Sequence, residues 1–426
     1  MKRIVPILIL VLALAVSAIL LFGRQAHEPV PSPIPEPVWK TDLHGTLPNK
    51  LSQLPGLDHA VDSFLNFWSI QGASLAITRN DSLLYARGYG ICDDGVPMTA
   101  DVRMRMASVS KLLTAVGIMR LQEEGKVFLE TPVFGPFGVL NEYDRYIRDE
   151  QYYGITVEHL LRHQAGFTLV NGDVMFRTRE FMRKWGLSKP PTADILLQKE
   201  LQKPLAFEPG TSQEYSNFGY LLLSLIIEKV SGLPYGEYMQ KEVFEPILCH
   251  HFALGGDYLK DRLPDETRYY MQADAETVTS FDGRFADVDK CYGGNHISGL
   301  LGAGGWIGTA PELARLVASV DGFGTVPDIL NPESVGQMTT YFDPDTYGLG
   351  WVDCKPDGEL TRTGSFSGTA ALVKVYPDGE CWILLCNTSA WRGSRFTNNI
   401  AALFNNLRGR FSRDLPVRDL FRSEPT

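Results

Sequence analysis

Arg105-Met-Ala-Ser-Val-Ser-Lys-Leu-Leu-Thr-Ala-Val-Gly-Ile-Met-Arg-Leu-Gln-Glu-Glu-Gly125 is the stretch from which the rest of the chain can be read. From Ser110 onward, apolar residues recur at three- and four-residue spacing and Gly125 closes the run, which predicts an amphipathic helix. Ser108 then falls at or just inside the helix N-terminus, with Lys111 one turn later on the same face. A hydroxyl is a poor nucleophile until a neighbour takes its proton, and a desolvated lysine can do that. The free N–H groups and positive dipole end of the helix favour negative charge forming beside Ser108. Ser110, two residues on, points elsewhere. A bare Ser-x-x-Lys is a weak signal, because most such tetrapeptides are accidental.

Upstream, residues 57–70 read as a helix, and 73–79 and 83–87 as strands joined by Asn80-Asp81. Two strands make no stable sheet, so their partners must come from elsewhere. Four strand-like runs lie far downstream, at 347–354, 359–362, 369–376 and 380–387. Lys-Pro-Asp-Gly at 355–358 and Pro-Asp-Gly at 377–379 supply turns between them. A helix is predicted over 395–407. Between about 125 and 290 the chain is helix- and loop-rich, with helices at 156–162, 193–201, 217–230 and 235–243. The expected fold is α/β of the mixed α+β kind. It is one antiparallel sheet flanked by helices, built from both chain ends, with an inserted all-helical lobe and a cleft between.

The 426 residues are 44% apolar and 21% charged, ordinary for a globular protein with a real core. A net charge of −10 without a long basic run argues against nucleic acid as partner. The six cysteines lack metal-ligand spacing. Cys381 and Cys386, at odd spacing in one strand, face opposite sides and cannot pair as neighbours. Disulfides stay open for an exported chain. Residues 1–24 read as a membrane segment: Met1-Lys-Arg3, then an uncharged run over 4–22, close to the ~20 residues a bilayer needs. Lys2 and Arg3 put the N-terminus inside and the body outside the cytoplasm, periplasmic or extracellular. An uncleaved anchor is the reading adopted; the alternative is secretion after cleavage near Val16-Ser17-Ala18. The proline-rich 25–40 is a stiff spacer, 41–412 the folded body, and 413–426 a C-terminal tail.

Two further motifs carry chemistry. Tyr215-Ser216-Asn217 precedes an apolar helix. The phenol of Tyr215 can shuttle a proton between Ser108 and a leaving group, and the Asn217 amide can hold both Lys111 and a substrate carbonyl. Alone they would read as a core tyrosine and an N-cap asparagine. Arg362-Thr363-Gly364-Ser365 closes a strand, and glycine there lets a substrate lie along the sheet edge. The N–H of Ser365, with that of Ser108, would make an oxyanion hole. Alone, Arg362 would be a solvated strand end.

Ser-x-x-Lys, Tyr-x-Asn and a basic residue-Thr-Gly, in that order, resemble the serine beta-lactamase and penicillin-binding protein superfamily. The tyrosine, in place of Ser-Asp-Asn, points to the branch of class C beta-lactamases, DD-carboxypeptidases and related esterases. Gly88-Tyr-Gly90, Ile155-Thr-Val-Glu-His-Leu-Leu-Arg-His-Gln-Ala-Gly-Phe167, Phe207-Glu-Pro-Gly-Thr211, Gly302-Ala-Gly-Gly-Trp306 and Tyr347-Gly-Leu-Gly-Trp351 agree. The resemblance runs from about 55 to 405. It implies Ser108 as the acylated nucleophile, Lys111 as its proton partner and Tyr215 as general base or acid. It also implies substrate contacts from Asn217, Arg362, Thr363 and Gly364, oxyanion N–H groups from Ser108 and Ser365, and no cofactor or metal.

Arg362 departs from the pattern, since relatives usually carry lysine or histidine there. Arginine keeps the positive potential that depresses the pKa of Lys111 and Tyr215, and its planar fork suits a carboxylate, but it gives up no proton at working pH. His159 and His163 stand four apart on a helix, yet the Glu of His-Glu-x-x-His is missing, so a structural role is expected. His250-His251 is expected at the surface of a loop. The resulting expectation is a tethered serine hydrolase outside the cytoplasm. It would work through an acyl-enzyme on amide, ester or beta-lactam carbonyls, with D-amino-acid peptides such as peptidoglycan fragments favoured. A penicillin-binding sensor or scaffold acylated without turnover, and an acyltransferase, are the alternatives.

Overall fold

Asn80 and Asp81 both take positive φ, 46° and 65°, the two-residue turn that matches strand twist. They close a hairpin between β1 (Gly72–Arg79) and β2 (Ser82–Asp93). β1 then takes its second neighbour from the far end of the chain: it pairs antiparallel with β10 (Glu380–Cys386), Ala73 opposite Cys386 and Arg79 opposite Glu380. Gly379, at φ 81°, turns the chain between β9 (Thr369–Val375) and β10. β8 (Leu360–Phe366) pairs with β9, and the short β7 (Asp353–Cys354) with β8. With β3 (Val96–Pro97) on the other edge, the order is β3-β2-β1-β10-β9-β8-β7, one antiparallel sheet from both chain ends. A second, three-stranded sheet joins β4 (Met104–Arg105), β6 (Trp306–Gly308) and β5 (Ala253–Leu254).

The computed structural model describes residues 38–423 apart from 273, 324–325 and 342–345. The expected anchor and nearly all of the proline spacer lie outside the described residues. No helix among the described residues is long and apolar enough to cross a membrane. Trp39–Arg422 form one compact unit.

Strand alternation sorts the core. Cys381, Ile383 and Leu385 of β10 enter the larger apolar cluster, shared with α2 (Ser110–Glu123) and the helical region. Trp382, Leu384 and Cys386 enter a second cluster beneath α1 (Pro55–Phe67) and the C-terminal helix Phe396–Phe411. Cys381 and Cys386 therefore do face opposite sides, and all six cysteines are free thiols. Residues 125–250 hold no strand, but the expected lobe of about 125–290 is not all helical: β5 lies within it, and the described residues of 255–290 carry no α-helix.

The structure corrects four further readings. α2 is not amphipathic: 11 of its 14 residues are buried, because α6 (Asn217–Ser231) and the turn Ser298–Ala303 cover the side that solvent would have taken. In this numbering α3 is Val157–Leu161, α4 Thr178–Trp185 and α5 Ala193–Glu200. Residues 347–352, read as strand, carry no strand pairing; a Cβ at Gly350 would stand 2.8 Å from the Cβ of Ala115, so this segment lies against α2. The helix over 235–243 is α-helical only at Tyr235–Met239 and then widens to a π turn, Gln240–Phe244. Nor is 413–422 a free tail, since Leu415, Leu420 and Phe421 are buried and Leu420 donates its N–H to Leu83 O.

Candidate active site

Ser108 sits in a 3-10 turn, Ala107–Val109, that runs directly into α2. Ala107 before it takes φ 48°, a costly conformation for a residue with a side chain, and such strain concentrates at functional sites. Strand β8 crosses here at close range. A Cβ on Gly364 would lie 2.1 Å from Met106 O and 3.1 Å from Ser108 N, so only glycine lets the strand pass.

The hydroxyl of Ser108 receives the phenol of Tyr215 at 2.6 Å and lies 3.2 Å from Lys111 Nζ. Lys111 is wholly buried. Its amine bonds Asn217 Oδ1 at 2.6 Å and the carbonyl of Ala303, and it stands 4.8 Å from the Tyr215 ring centre. Ser216, not Asn217, caps α6 by accepting from Gly219 N, which leaves the Asn217 side chain for the site. Arg362 is fully buried and donates Nε to Ser108 O at 2.8 Å, while Nη1 and Nη2 have no hydrogen-bond partner among the described residues. Ser108, Tyr215, Asn217, Arg362, Thr363, Gly364 and Ser365 all line one cleft of about 370 Å³. The structure thus brings together every side chain that the sequence proposed, with Lys111 behind them.

Protonation follows from burial and charge. Desolvation, aided by the Arg362 guanidinium and opposed by the Asp173 carboxylate, holds the Lys111 amine well below its ordinary value. A neutral amine has two N–H groups and one lone pair. Asn217 Oδ1 and Ala303 O take the two N–H groups, so the lone pair faces the Ser108 hydroxyl. For Tyr215, Arg362 lowers the pKa as expected and the bond to Ser108 adds to it, but burial raises it by more, so the net shift is upward and the phenol keeps its proton.

Sequence reasoning missed Asp173, Ala303 and Phe176. Asp173 accepts from Asn217 Nδ2 and caps the turn Val174–Phe176, a pattern shared by any capping aspartate. Ala303 acts through a backbone carbonyl, which no side-chain motif announces. Phe176 lines the cleft with its ring from that same turn.

His159 does not come to the cleft; its Nδ1 accepts from Thr156 N in a capping box. His163 is buried, accepts from Ser216 N at 3.1 Å and packs 4.5 Å from the Tyr215 ring, propping it. Burial first, then Lys111 and Arg362, push His163 well below its usual pKa, so it is neutral. His250 is exposed as expected, but His251 is not a solvated loop residue. It bonds buried Glu312 at 2.9 Å and stacks on His44. Among the described residues, His44, His251 and Asp265 are near enough to hold a metal ion; Asp265 already pairs with Arg103 and none of the three lines the cleft.

A hydroxyl held between a desolvated amine and a phenol, on this fold, is the arrangement of a serine nucleophile. The beta-lactamase family model matches residues 57–406, and the chain belongs to that family. It is 31% identical over 321 residues to penicillin-binding protein 4* of Bacillus subtilis (strain 168), covering 72% of this chain and 65% of that protein. It is 28% identical over 195 residues to esterase EstB of Burkholderia gladioli, covering 45% of this chain and 49% of the esterase. The chain thus spans between half and two thirds of the length of these curated relatives. Its fold is similar to that of the D-amino acid amidase from Ochrobactrum anthropi SV3 complexed with L-phenylalanine amide. That match has TM-score 0.64 and 21% identity, over 84% of this chain and 99% of the amidase.

Proposed function

We propose that the protein hydrolyses amide, ester or beta-lactam carbonyls through an acyl-enzyme on Ser108. It would act outside the cytoplasm, held to the membrane by residues 1–24, with D-amino-acid and peptidoglycan-type peptides as favoured substrates. The observation that carries this reading is the Ser108 hydroxyl at 2.6 Å from the Tyr215 phenol and 3.2 Å from the buried Lys111 amine.

Lys111 takes the Ser108 proton as Oγ attacks the carbonyl carbon, and the N–H groups of Ser108 and Ser365 hold the developing oxyanion. Tyr215 gives its proton to the leaving amine or alkoxide and regains one from Lys111 by way of the site's hydrogen bonds. Water then releases the acid by the reverse sequence. Arg362, buried beside the cleft with Nη1 and Nη2 unpartnered among the described residues, supplies a positive potential that favours a substrate carboxylate next to the scissile bond. The relatives' names, a penicillin-binding protein, an esterase and a D-amino acid amidase, support the carbonyl classes.

Ser108→Ala should abolish labelling by a fluorescent penicillin or a fluorophosphonate; equal labelling of variant and wild type would remove Ser108 from the mechanism. A stoichiometric burst without turnover would instead favour the sensor. Product analysis with an added amine separates hydrolysis from acyl transfer.

A further inference from the structure

A second, larger cleft of about 810 Å³ adjoins the nucleophile's. The two share Phe176 and Phe366 as lining residues, so they lie side by side. Helix α4 lines it with Arg179 and Arg183, four residues apart and therefore on one face. Lys290, Thr279 and Asn295 line it from the 278–295 segment. Glu180 is the only acid among the described lining residues, and Arg177 ties it down with an ion pair. Arg179, Arg183 and Lys290 carry no ion pair among the described residues. Three cations without an ion pair among the described residues thus line one trough beside the nucleophile's cleft, in a chain whose net charge is −10. Random placement of surface charge in an acidic protein works against such a cluster.

We infer that this trough is a subsite for the acidic portion of an extended peptide substrate, one bearing two or more carboxylates beyond the residue at the scissile bond. The inference rests on the acyl-enzyme reading above and narrows its substrate class. Arg362 lends positive potential to the carboxylate nearest the reacting carbonyl, and the trough meets those farther along the chain. Its volume lies within the range of about 300–1,000 Å³ in which proteins hold compact ligands, room for a few residues. Phe176, Val278 and Phe366 offer apolar surface to the aliphatic stems of those side chains. Because Arg179, Arg183 and Lys290 are exposed, their attraction is screened over about 8–10 Å of salt solution, so the preference must weaken with ionic strength.

Binding to the Ser108→Ala protein reads the trough without chemistry. Fluorescein-labelled D-alanyl peptides of equal length, one carrying two glutamates and one two glutamines, are titrated by anisotropy. The glutamate pair is placed on either side of the D-alanyl bond in two series. At low salt the acidic peptide of one series should bind about tenfold more tightly, a gap that closes near 0.5 M salt. Arg179→Gln with Arg183→Gln should erase the gap, and Arg179→Glu with Arg183→Glu should invert it, each at an unchanged melting temperature. Equal binding of acidic and neutral peptides in both series overturns the inference, as does a preference that survives the double substitution. Failure of the acyl-enzyme reading shows separately, as wild-type protein that a fluorophosphonate does not label at Ser108.

Discussion

Two strands of the main sheet each carry a buried charge, and the two are treated in opposite ways. Glu380 opens β10 with its carboxylate saturated: Arg79 donates at 2.6 and 3.2 Å, Trp382 Nε1 at 2.9 Å, Arg408 Nε at 3.0 Å, and Ser412 adds its hydroxyl. Burial raises its pKa, but the bonds from Ser412, Arg79 and Trp382 outweigh that and hold it below the usual value. Arg362, equally buried on β8, places one donor on Ser108 O and leaves two nitrogens unmet. Its neighbour Lys111 is another potential cation. A buried charge with a full set of partners holds strands together, whereas one left short of them costs stability. Such a cost marks the place where something arrives to complete the set. By this test the Glu380 region is scaffold and the Arg362 region is a site.

Five variants break or sharpen this contrast. Removing the proton partners acts most strongly: Lys111→Ala and Tyr215→Phe should each lower kcat/KM by about 10²–10⁴-fold with melting temperature little changed, read by steady-state kinetics on a chromogenic ester. Glu380→Ala should do the converse. It removes a buried partner from Arg79, Arg408 and Trp382, leaving Arg79 its bonds to Ser412 and Arg408 its pair with Asp378, and should cost about 1–3 kcal/mol in urea unfolding, with kcat per folded molecule unchanged.

Arg362→Met should separate the two properties in one protein. Removing an under-compensated cation should raise the melting temperature by about 2–4 °C, while kcat/KM on carboxylate-bearing substrates falls. Because Arg362 lowers the Lys111 pKa and catalysis needs the neutral amine, the acid limb of the pH–rate profile should also move to higher pH. A limb that stays put would disconnect Arg362 from Lys111.

The smallest effect is the pH dependence of stability at Glu380. Its folded pKa is depressed, so its contribution is complete above the unfolded value of about 4.3 and is lost as pH falls through the folded one. Glu380→Gln should flatten the acid side of a melting-temperature profile there.

Most of the sheet was legible because its signals are local. Asn80-Asp81 and Pro377-Asp378-Gly379 name their own turns, and apolar residues fill β1, β9 and β10. The segment 347–352 was misread because Gly350 answers to α2, which approaches from elsewhere in the chain, not to a strand partner. In α2 the polar residues Ser110, Lys111 and Thr114 look like a solvent face, yet each is buried with a specific partner: Trp306 N, Asn217 and Tyr235 respectively. Ser108, Lys111, Tyr215, Asn217 and Arg362 come from three distant stretches and were legible only as motifs of a known family. Asp173 and Ala303 were not, since one resembles any helix cap and the other acts through its backbone.

The account stands on covalent chemistry at one oxygen. Intact-mass measurement after brief exposure to a D-alanyl thioester, followed by peptide mapping, tests it most directly. The expected result is one added acyl group on the peptide containing Ser108, longer-lived in Tyr215→Phe and absent from Ser108→Ala. An adduct on Ser110 or Ser365, or one on Ser108→Ala protein equal to wild type, would contradict it.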